Sequence, residues 1–192
     1  YEYAKENYDI KVPDFKKEKL LTCLINNEDD YNKLDKKYDV IYSDSKIPGT
    51  VLKYPRVIDI YPNYDDEVMI SEVGGLNKFK NCCCDNSLNV VNSYTVAFLH
   101  SLGVKRVTLS YELSKEQIKE LIDSYHERYK KHPNVELVVS GYEEVMVSKY
   151  SLNKQYNKDK LFLKDMYGNR FKIKEKNGYM YIYNFRKREN FD

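Results

Sequence analysis

The chain contains no tryptophan, three histidines and four cysteines among its 192 residues. Its 32 basic and 30 acidic residues leave a formal net charge of +2, far from the positive excess of a dedicated nucleic-acid-binding module. It has no run of the ~20 apolar residues that a membrane-spanning helix requires. With 42% hydrophobic residues, the chain can fill a core. These features predict a folded, cytoplasmic protein with no membrane partner.

The few cysteines are Cys23 and the consecutive Cys82, Cys83 and Cys84. Neighbouring residues of a strand point to opposite faces, so no more than two of these three can converge on one site. Their spacing also lacks the C-x-x-C form of zinc and iron–sulfur ligands. We therefore expect buried, unreactive thiols and no metal site in this chain.

The three histidines, His100, His126 and His132, belong to no Ser/His/Asp or H-E-x-x-H arrangement. All three fall within helical patterns or at their ends. We expect each of them to lie on the protein surface or on a helix face, with no catalytic role.

Short apolar runs alternate with helical patterns along most of the chain. Gly103 ends one helix as a C′ glycine, and Ser114 with Gln117 forms a capping box at the start of another. This alternation predicts a parallel sheet with helices outside it, and seven strands favour an α/β barrel or an incomplete TIM-type barrel. The predicted strands span 20–25, 39–42, 56–61, 67–71, 81–85, 106–110 and 135–139. The predicted helices span 28–38, 74–79, 92–102 and 114–132.

Three segments differ in their patterns. Residues 1–18 are charged and irregular, and the chain begins at Tyr1 without an initiator methionine. We expect these residues to be a linker from an upstream domain, so that the chain is the C-terminal portion of a longer protein. Residues 19–150 form the predicted barrel-like domain. Residues 151–192 alternate with period two around turn residues, which predicts a small antiparallel β-hairpin extension.

Polar side chains follow two of the predicted strands. Asp85, Asn89 and Asn92 lie at one strand-to-helix junction, and Ser110 and Glu112 follow the next strand. Because active-site groups of α/β barrels lie at the carboxyl ends of the strands, these residues are candidate substrate-binding groups. Capping of the next helix is the alternative for Asn92.

Glu112 is the candidate catalytic residue. It is the acid at this edge before the next helix cap, and a carboxylate there can act as a general base, a metal ligand or a partner of a substrate amine. The alternative is a solvated acid at the end of a strand. Asp85, Asn89, Ser110 and Glu112 are expected to meet at one end of the sheet.

These stretches resemble peptidase family U32, the collagenase-like proteins, over roughly residues 15–175. The resemblance rests on residues 85–93 and 103–114, on Ser140-Gly141 and on residues 146–150. It implies a barrel fold and a peptidase function, assigns Glu112 to the central cavity, and adds Ser140 and Gly141 to the candidate substrate-binding residues.

The chain departs from the family pattern at two places. Ser140-Gly141 stands where His-Gly is usual, and Ser151 stands where a cysteine is expected, with no cysteine after Cys84. In the family, cysteines downstream of that position are associated with an iron–sulfur cluster, and serine is not an adequate ligand for one. We therefore expect no cofactor in this chain.

Three functions remain open at this stage. The family name implies a peptidase whose isolated C-terminal portion is inactive. Other members of the family resemble iron–sulfur proteins that hydroxylate uridine or cytidine in tRNA or ribosomal RNA. The third function is a non-catalytic scaffold barrel. The expected partners are upstream domains of the same polypeptide and a peptide or RNA substrate.

Overall fold

The computed structural model describes residues 10–157 and 161–189. The chain divides into two compact units, the first ending at Leu137 and the second beginning at Val138. No helix in the described residues is long and apolar enough to cross a membrane.

The first unit is built on a seven-stranded parallel sheet whose strand order follows the chain order. With its interleaved helices it forms a half-barrel, as the sequence predicts. The strands are β1 (Thr22–Ile25), β2 (Val40–Ser43), β3 (Val51–Lys53), β4 (Val68–Ile70), β5 (Cys82–Cys84), β6 (Val104–Thr108) and β7 (Val135–Glu136).

Four α-helices and one turn of 3-10 helix connect these strands. The capping box predicted at Ser114 is present, and Ile118, Leu121 and Tyr125 form the buried side of the helix that follows it. The helices are α1 (Glu28–Asn32), α2 (Gly75–Lys78), α3 (Ser93–Ser101) and α4 (Lys115–Tyr129), with the 3-10 turn at Asn86–Leu88 between β5 and α3.

The middle strands are buried on both faces, which is typical of a parallel sheet covered by helices. The register places Lys53 beside Met69 and Met69 beside Cys83, so these three side chains share one face. Tyr42, Met69 and Cys83 form an apolar cluster there.

The prediction of a strand at residues 56–61 is wrong. Those residues form no strand, and Ile60 is 83% exposed. The position between β2 and β4 is occupied by β3, where Val51 pairs with Tyr42 and Leu52 with Val68. The helix predicted over residues 28–38 also ends early, as α1 stops at Asn32.

Residues 10–18, the described part of the predicted linker, form no helix or strand but pack on the first unit. Val12 is buried, and its carbonyl oxygen accepts a hydrogen bond from Lys131 Nζ. The Phe15 ring lies 4.5 Å from the ring of His100, centroid to centroid.

The second unit is a four-stranded antiparallel sheet in the order β8-β11-β10-β9. Ile173, Met180 and Ile182 form its core. Its elements are β8 (Ser140–Ser148), α5 (Leu152–Tyr156), β9 (Phe162–Lys164), β10 (Arg170–Lys176) and β11 (Tyr179–Glu189).

The predicted hairpins are present in this sheet, and the turn at Asn177-Gly178 has positive φ at both residues. Residues 158–160 and 190–192 of the predicted extension 151–192 lie outside the described residues. The predicted domain boundary at residue 150 falls after β8, which pairs with β11 in the antiparallel sheet.

Candidate functional site

A buried ion pair lies at the carboxyl edge of the parallel sheet. Lys53 ends β3 and Asp85 follows β5, and Lys53 Nζ lies 3.1 Å from Asp85 Oδ2. Their side chains are only 8% and 7% exposed. Ser71, which follows β4, places its Oγ 2.8 Å from the same carboxylate oxygen and 2.7 Å from the Tyr54 carbonyl oxygen. Three adjacent strands thus contribute to one buried polar cluster.

A backbone N–H group binds Oδ1, the second carboxylate oxygen of Asp85. Asp85 is the N-cap of the 3-10 turn, and its Oδ1 accepts a hydrogen bond of 2.9 Å from the Ser87 N–H. Ser87 Oγ in turn accepts a hydrogen bond of 2.6 Å from Arg56 Nε. Because both carboxylate oxygens are engaged, Asp85 is held in one orientation.

Asn89 and Ser110 meet in a second contact at this edge. Asn89 ends the 3-10 turn in the left-handed conformation, at φ 50°, which asparagine tolerates better than most residues. Its Oδ1 accepts a hydrogen bond of 2.6 Å from Ser110 Oγ, and the Ser110 N–H donates to the Val90 carbonyl. The predicted meeting of Asn89 and Ser110 is therefore present.

Asn92 is the N-cap of α3. Its Oδ1 accepts hydrogen bonds from the backbone N–H of Thr95, at 2.9 Å, and from Thr95 Oγ1, at 3.1 Å. This is the capping role that the sequence offered as the alternative for this residue.

Glu112 is exposed, in the turn that follows β6. Its backbone N–H donates a hydrogen bond of 3.2 Å to Ser110 Oγ. Within the part of the chain that the structure describes, its carboxylate has no hydrogen-bond or ion-pair partner. This exposed position agrees with the alternative interpretation of Glu112 as a solvated acid at the end of a strand.

Ser140 and Gly141 begin β8 of the second unit, opposite Glu189 and Arg188 of β11. They are thus edge-strand residues of the antiparallel sheet, whereas Asp85, Asn89 and Ser110 belong to the parallel unit.

Sequence reasoning missed a polar network on the inner face of the parallel sheet. Glu136 on β7 accepts hydrogen bonds from Thr22 on β1, from Tyr42 on β2 and from Thr108 on β6. Arg106 donates to the Tyr42 hydroxyl, and burial, with Cys83 and Glu136 nearby, raises the pKa of that hydroxyl. Glu136 thus joins the two edge strands, and no local spacing in the sequence signals this.

The thiols do not fit the iron–sulfur cluster that the family resemblance implies, because such clusters require converging thiolates. Burial raises the pKa of Cys82 to about 11 and raises the pKa of Cys83 well above its ordinary value. Their sulfurs lie against the carbonyls of Phe79 and Val68, at 3.6 and 3.5 Å. Ser151, where the resemblance expects a cysteine, caps α5.

A metal site is also absent from the described residues, where no group of three or more His, Cys, Asp or Glu side chains is arranged to hold an ion. The four cysteines are all free, three of them are buried, and none forms a disulfide.

His100 lies on α3, one of the helices, and is buried. Its Nδ1 lies 2.7 Å from the Val104 carbonyl, and its Nε2 accepts a hydrogen bond of 3.2 Å from the Asn134 N–H. Both contacts together require the neutral ring with the proton on Nδ1. His126 and His132 are exposed, and their rings stack 4.9 Å apart.

Chemically, the carboxyl edge is suited to binding. The side chains of Lys53, Ser71 and Asp85 are held by one another, as are those of Asn89 and Ser110. The exposed carboxylate of Glu112 follows β6 at the same edge, and within the described residues it is hydrogen-bonded to no nucleophile. Lys53 and Ser71 were missed from the sequence, although Ser71 closes the predicted strand 67–71 and could have been found by the rule that identified Asp85.

The comparison with protein families gives a match over half of the chain. The model of the family described as Peptidase family U32 matches residues 66–162, which include β4 to β7 and the polar groups between Ser71 and Glu112. No curated protein and no solved structure matches the chain. The chain belongs to peptidase family U32.

Proposed function

We propose that this chain is the substrate-binding portion of a U32 protein and does not hydrolyse peptide bonds by itself. The observation that carries the proposal is the buried Lys53–Asp85 pair with Ser71 at the carboxyl edge of the sheet. Barrel enzymes bind their substrates at this edge. The expected ligand is a peptide segment, with donors and acceptors for the side chains that line the edge.

Hydrolysis needs an activated nucleophile, which a neighbouring base normally provides. The hydroxyl of Ser110 donates to the amide oxygen of Asn89, which is not a base. Ser71 lies beside Asp85, but that carboxylate is already paired with Lys53. These contacts support binding over catalysis.

Peptidase assays test this proposal. The purified 192-residue chain is incubated with gelatin and with fluorescent collagen peptides, beside a Glu112→Gln variant. We expect no cleavage by either protein. Cleavage that is lost in Glu112→Gln, with an unchanged thermal melt, would show that the chain is a peptidase and that the proposal is wrong.

RNA hydroxylation, the other activity that the family resemblance implies, ranks second because the thiols of this chain do not converge. Its test is the iron and sulfide content of the chain after anaerobic reconstitution. We expect a colourless protein without bound iron; a brown protein with iron bound to Cys82, Cys83 or Cys84 would favour the RNA-modifying function. A scaffold barrel would neither bind peptide nor take up iron.

We place the protein in the cytoplasm. Four free cysteines, three of them buried, are typical of a reducing compartment.

A further inference from the structure

The turn between β9 and β10 presents two large apolar side chains to solvent. Met166 is 89% exposed and Tyr167 is 83% exposed, among the highest values for hydrophobic residues in the described chain. Phe162 on β9 is also 55% exposed. Single exposed apolar residues are common, whereas adjacent ones at the tip of a hairpin indicate a contact surface.

Hydrogen bonds hold this tip in one conformation. Asp165 Oδ1 accepts hydrogen bonds of 2.9 Å from the N–H groups of Tyr167 and Asn169, and Asp165 Oδ2 accepts from Asn169 Nδ2 at 2.7 Å. Gly168 takes φ +87°, which glycine adopts without strain. The carboxylate of Asp165 is therefore occupied within the turn, and the two apolar side chains point away from a well-defined backbone.

Cations lie behind the tip on one face of the hairpin. The register places Arg170 directly opposite Lys164, and Lys172 opposite Phe162. All three cations are exposed, and none of them forms an ion pair within the described residues. Like charges directly opposite each other destabilise a sheet, so an external anion would relieve this arrangement.

We propose that the β9–β10 hairpin docks on an anionic lipid surface, with Met166 and Tyr167 entering the interface and Lys164, Arg170 and Lys172 contacting the headgroups. Aromatic and apolar side chains favour the headgroup region, and each nearby cation adds attraction to an anionic leaflet. The whole second unit is basic, with 12 Lys and Arg residues against 7 Asp and Glu residues.

The chemistry of the tip favours lipid over a nucleic acid. Stacking on nucleobases uses aromatic faces, whereas the most exposed residue here is the aliphatic Met166. All three residues of β9 are exposed, so both faces of the strand are open, as immersion of the tip requires. Docking of this kind needs no spanning helix.

Vesicle sedimentation tests the proposal. The 192-residue chain is mixed with phosphatidylcholine vesicles that contain or lack phosphatidylserine. We expect binding to the anionic vesicles only, and weaker binding at higher salt. The double variant Met166→Ser/Tyr167→Ser should lose binding, and Lys164→Gln and Arg170→Gln should each weaken it about fivefold. Ile60→Ser, which removes an equally exposed apolar residue from the first unit, is the matched control and should bind normally.

Three results would overturn the proposal of lipid docking. Failure to bind anionic vesicles would do so, as would binding that the tip variant leaves unchanged while its thermal melt matches that of the parent chain. Tight binding to a single-stranded oligonucleotide that Lys164→Gln weakens, without vesicle binding, would assign the cationic face to nucleic acid instead.

Discussion

Asp85 makes more polar contacts than any other side chain named at the carboxyl edge of the parallel sheet. It pairs with Lys53, accepts from Ser71 and caps the 3-10 turn at Ser87. Removal of its charge leaves the Lys53 ammonium buried without a counter-ion, which is the costly outcome for a buried pair.

We expect Asp85→Asn to lower the free energy of unfolding by about 3–5 kcal/mol, measured by urea denaturation. The control is Asp123→Asn, because Lys119–Asp123 is a fully exposed helical pair with side chains 82% and 67% exposed. That change should cost about 0.3–0.5 kcal/mol. An Asp85→Asn variant as stable as the control would mean that the Lys53–Asp85 pair is not formed.

His100 makes a pH-dependent contribution to stability. Burial lowers its pKa below the ordinary 6.5, although the contact with the Val104 carbonyl acts in the opposite direction. The unfolded chain therefore takes up this proton first as the pH falls, so the stability from neutral His100 is present above about pH 6.5 and is lost below it.

The measurement is the free energy of unfolding at about pH 7.5 and about pH 5.5. The carboxylates are the same in the parent chain and the variants, so their effect on this free energy cancels in the comparison. We expect a smaller loss on acidification for His100→Gln than for the parent chain. His126→Gln, at an exposed position, should retain the full loss. Equal losses in the parent chain and His100→Gln would contradict the burial of a neutral ring.

At the residue scale, the sequence predicted three of the polar groups that follow strands, but it missed Ser71, which follows β4, and the polar groups inside strands. Asp85, Asn89 and Ser110 were identified because small polar residues end apolar runs. Lys53 was missed because a lysine within a three-residue strand resembles an exposed position. Glu136 was missed because its partners lie 28 to 114 residues away in the chain.

At the scale of elements, α4 depends on its N-terminal cap. Ser114 Oγ accepts from the Gln117 N–H, and Gln117 Oε1 accepts from the Ser114 N–H. We expect Ser114→Ala to destabilise the protein by about 1 kcal/mol in thermal or urea unfolding. Ser101→Ala, at the exposed end of α3, should change stability by no more than about 0.5 kcal/mol. Equal effects of the two changes would argue against the capping box.

The sequence predicted strands correctly where apolar runs are bounded by polar turns. It failed where the strand propensity of a segment disagrees with its backbone pairing in the sheet. Residues 56–61 contain the β-branched Val57, Ile58 and Ile60, which favour a strand, but these residues pair with no strand of the sheet. β3 is only three residues long, too short to show a period, and it is fixed by backbone pairing with β2 and β4. Such pairing is a long-range property that local composition does not contain.

At the scale of the whole molecule, the fold and the family can be stated together with the position of the polar groups and the thiols. The first unit is a parallel half-barrel, the chain belongs to peptidase family U32, and a buried polar cluster lies at the carboxyl edge of the sheet. Three of the four thiols, those of Cys82, Cys83 and Cys84, lie in the apolar interior. The central claim is therefore that Lys53, Asp85 and Ser71 are bound to one another at this edge, so that the Asp85 carboxylate is not a free base for catalysis.

The most direct test of this claim is the reactivity of the lysines in the native chain. The protein is treated briefly with an amine-acylating reagent, and modification at each lysine is quantified by peptide mass spectrometry. We predict that Lys53 is among the least modified lysines, that exposed Lys119 is readily modified, and that Asp85→Asn raises the modification of Lys53. Modification of Lys53 as fast as that of Lys119 in the folded parent chain would contradict the account.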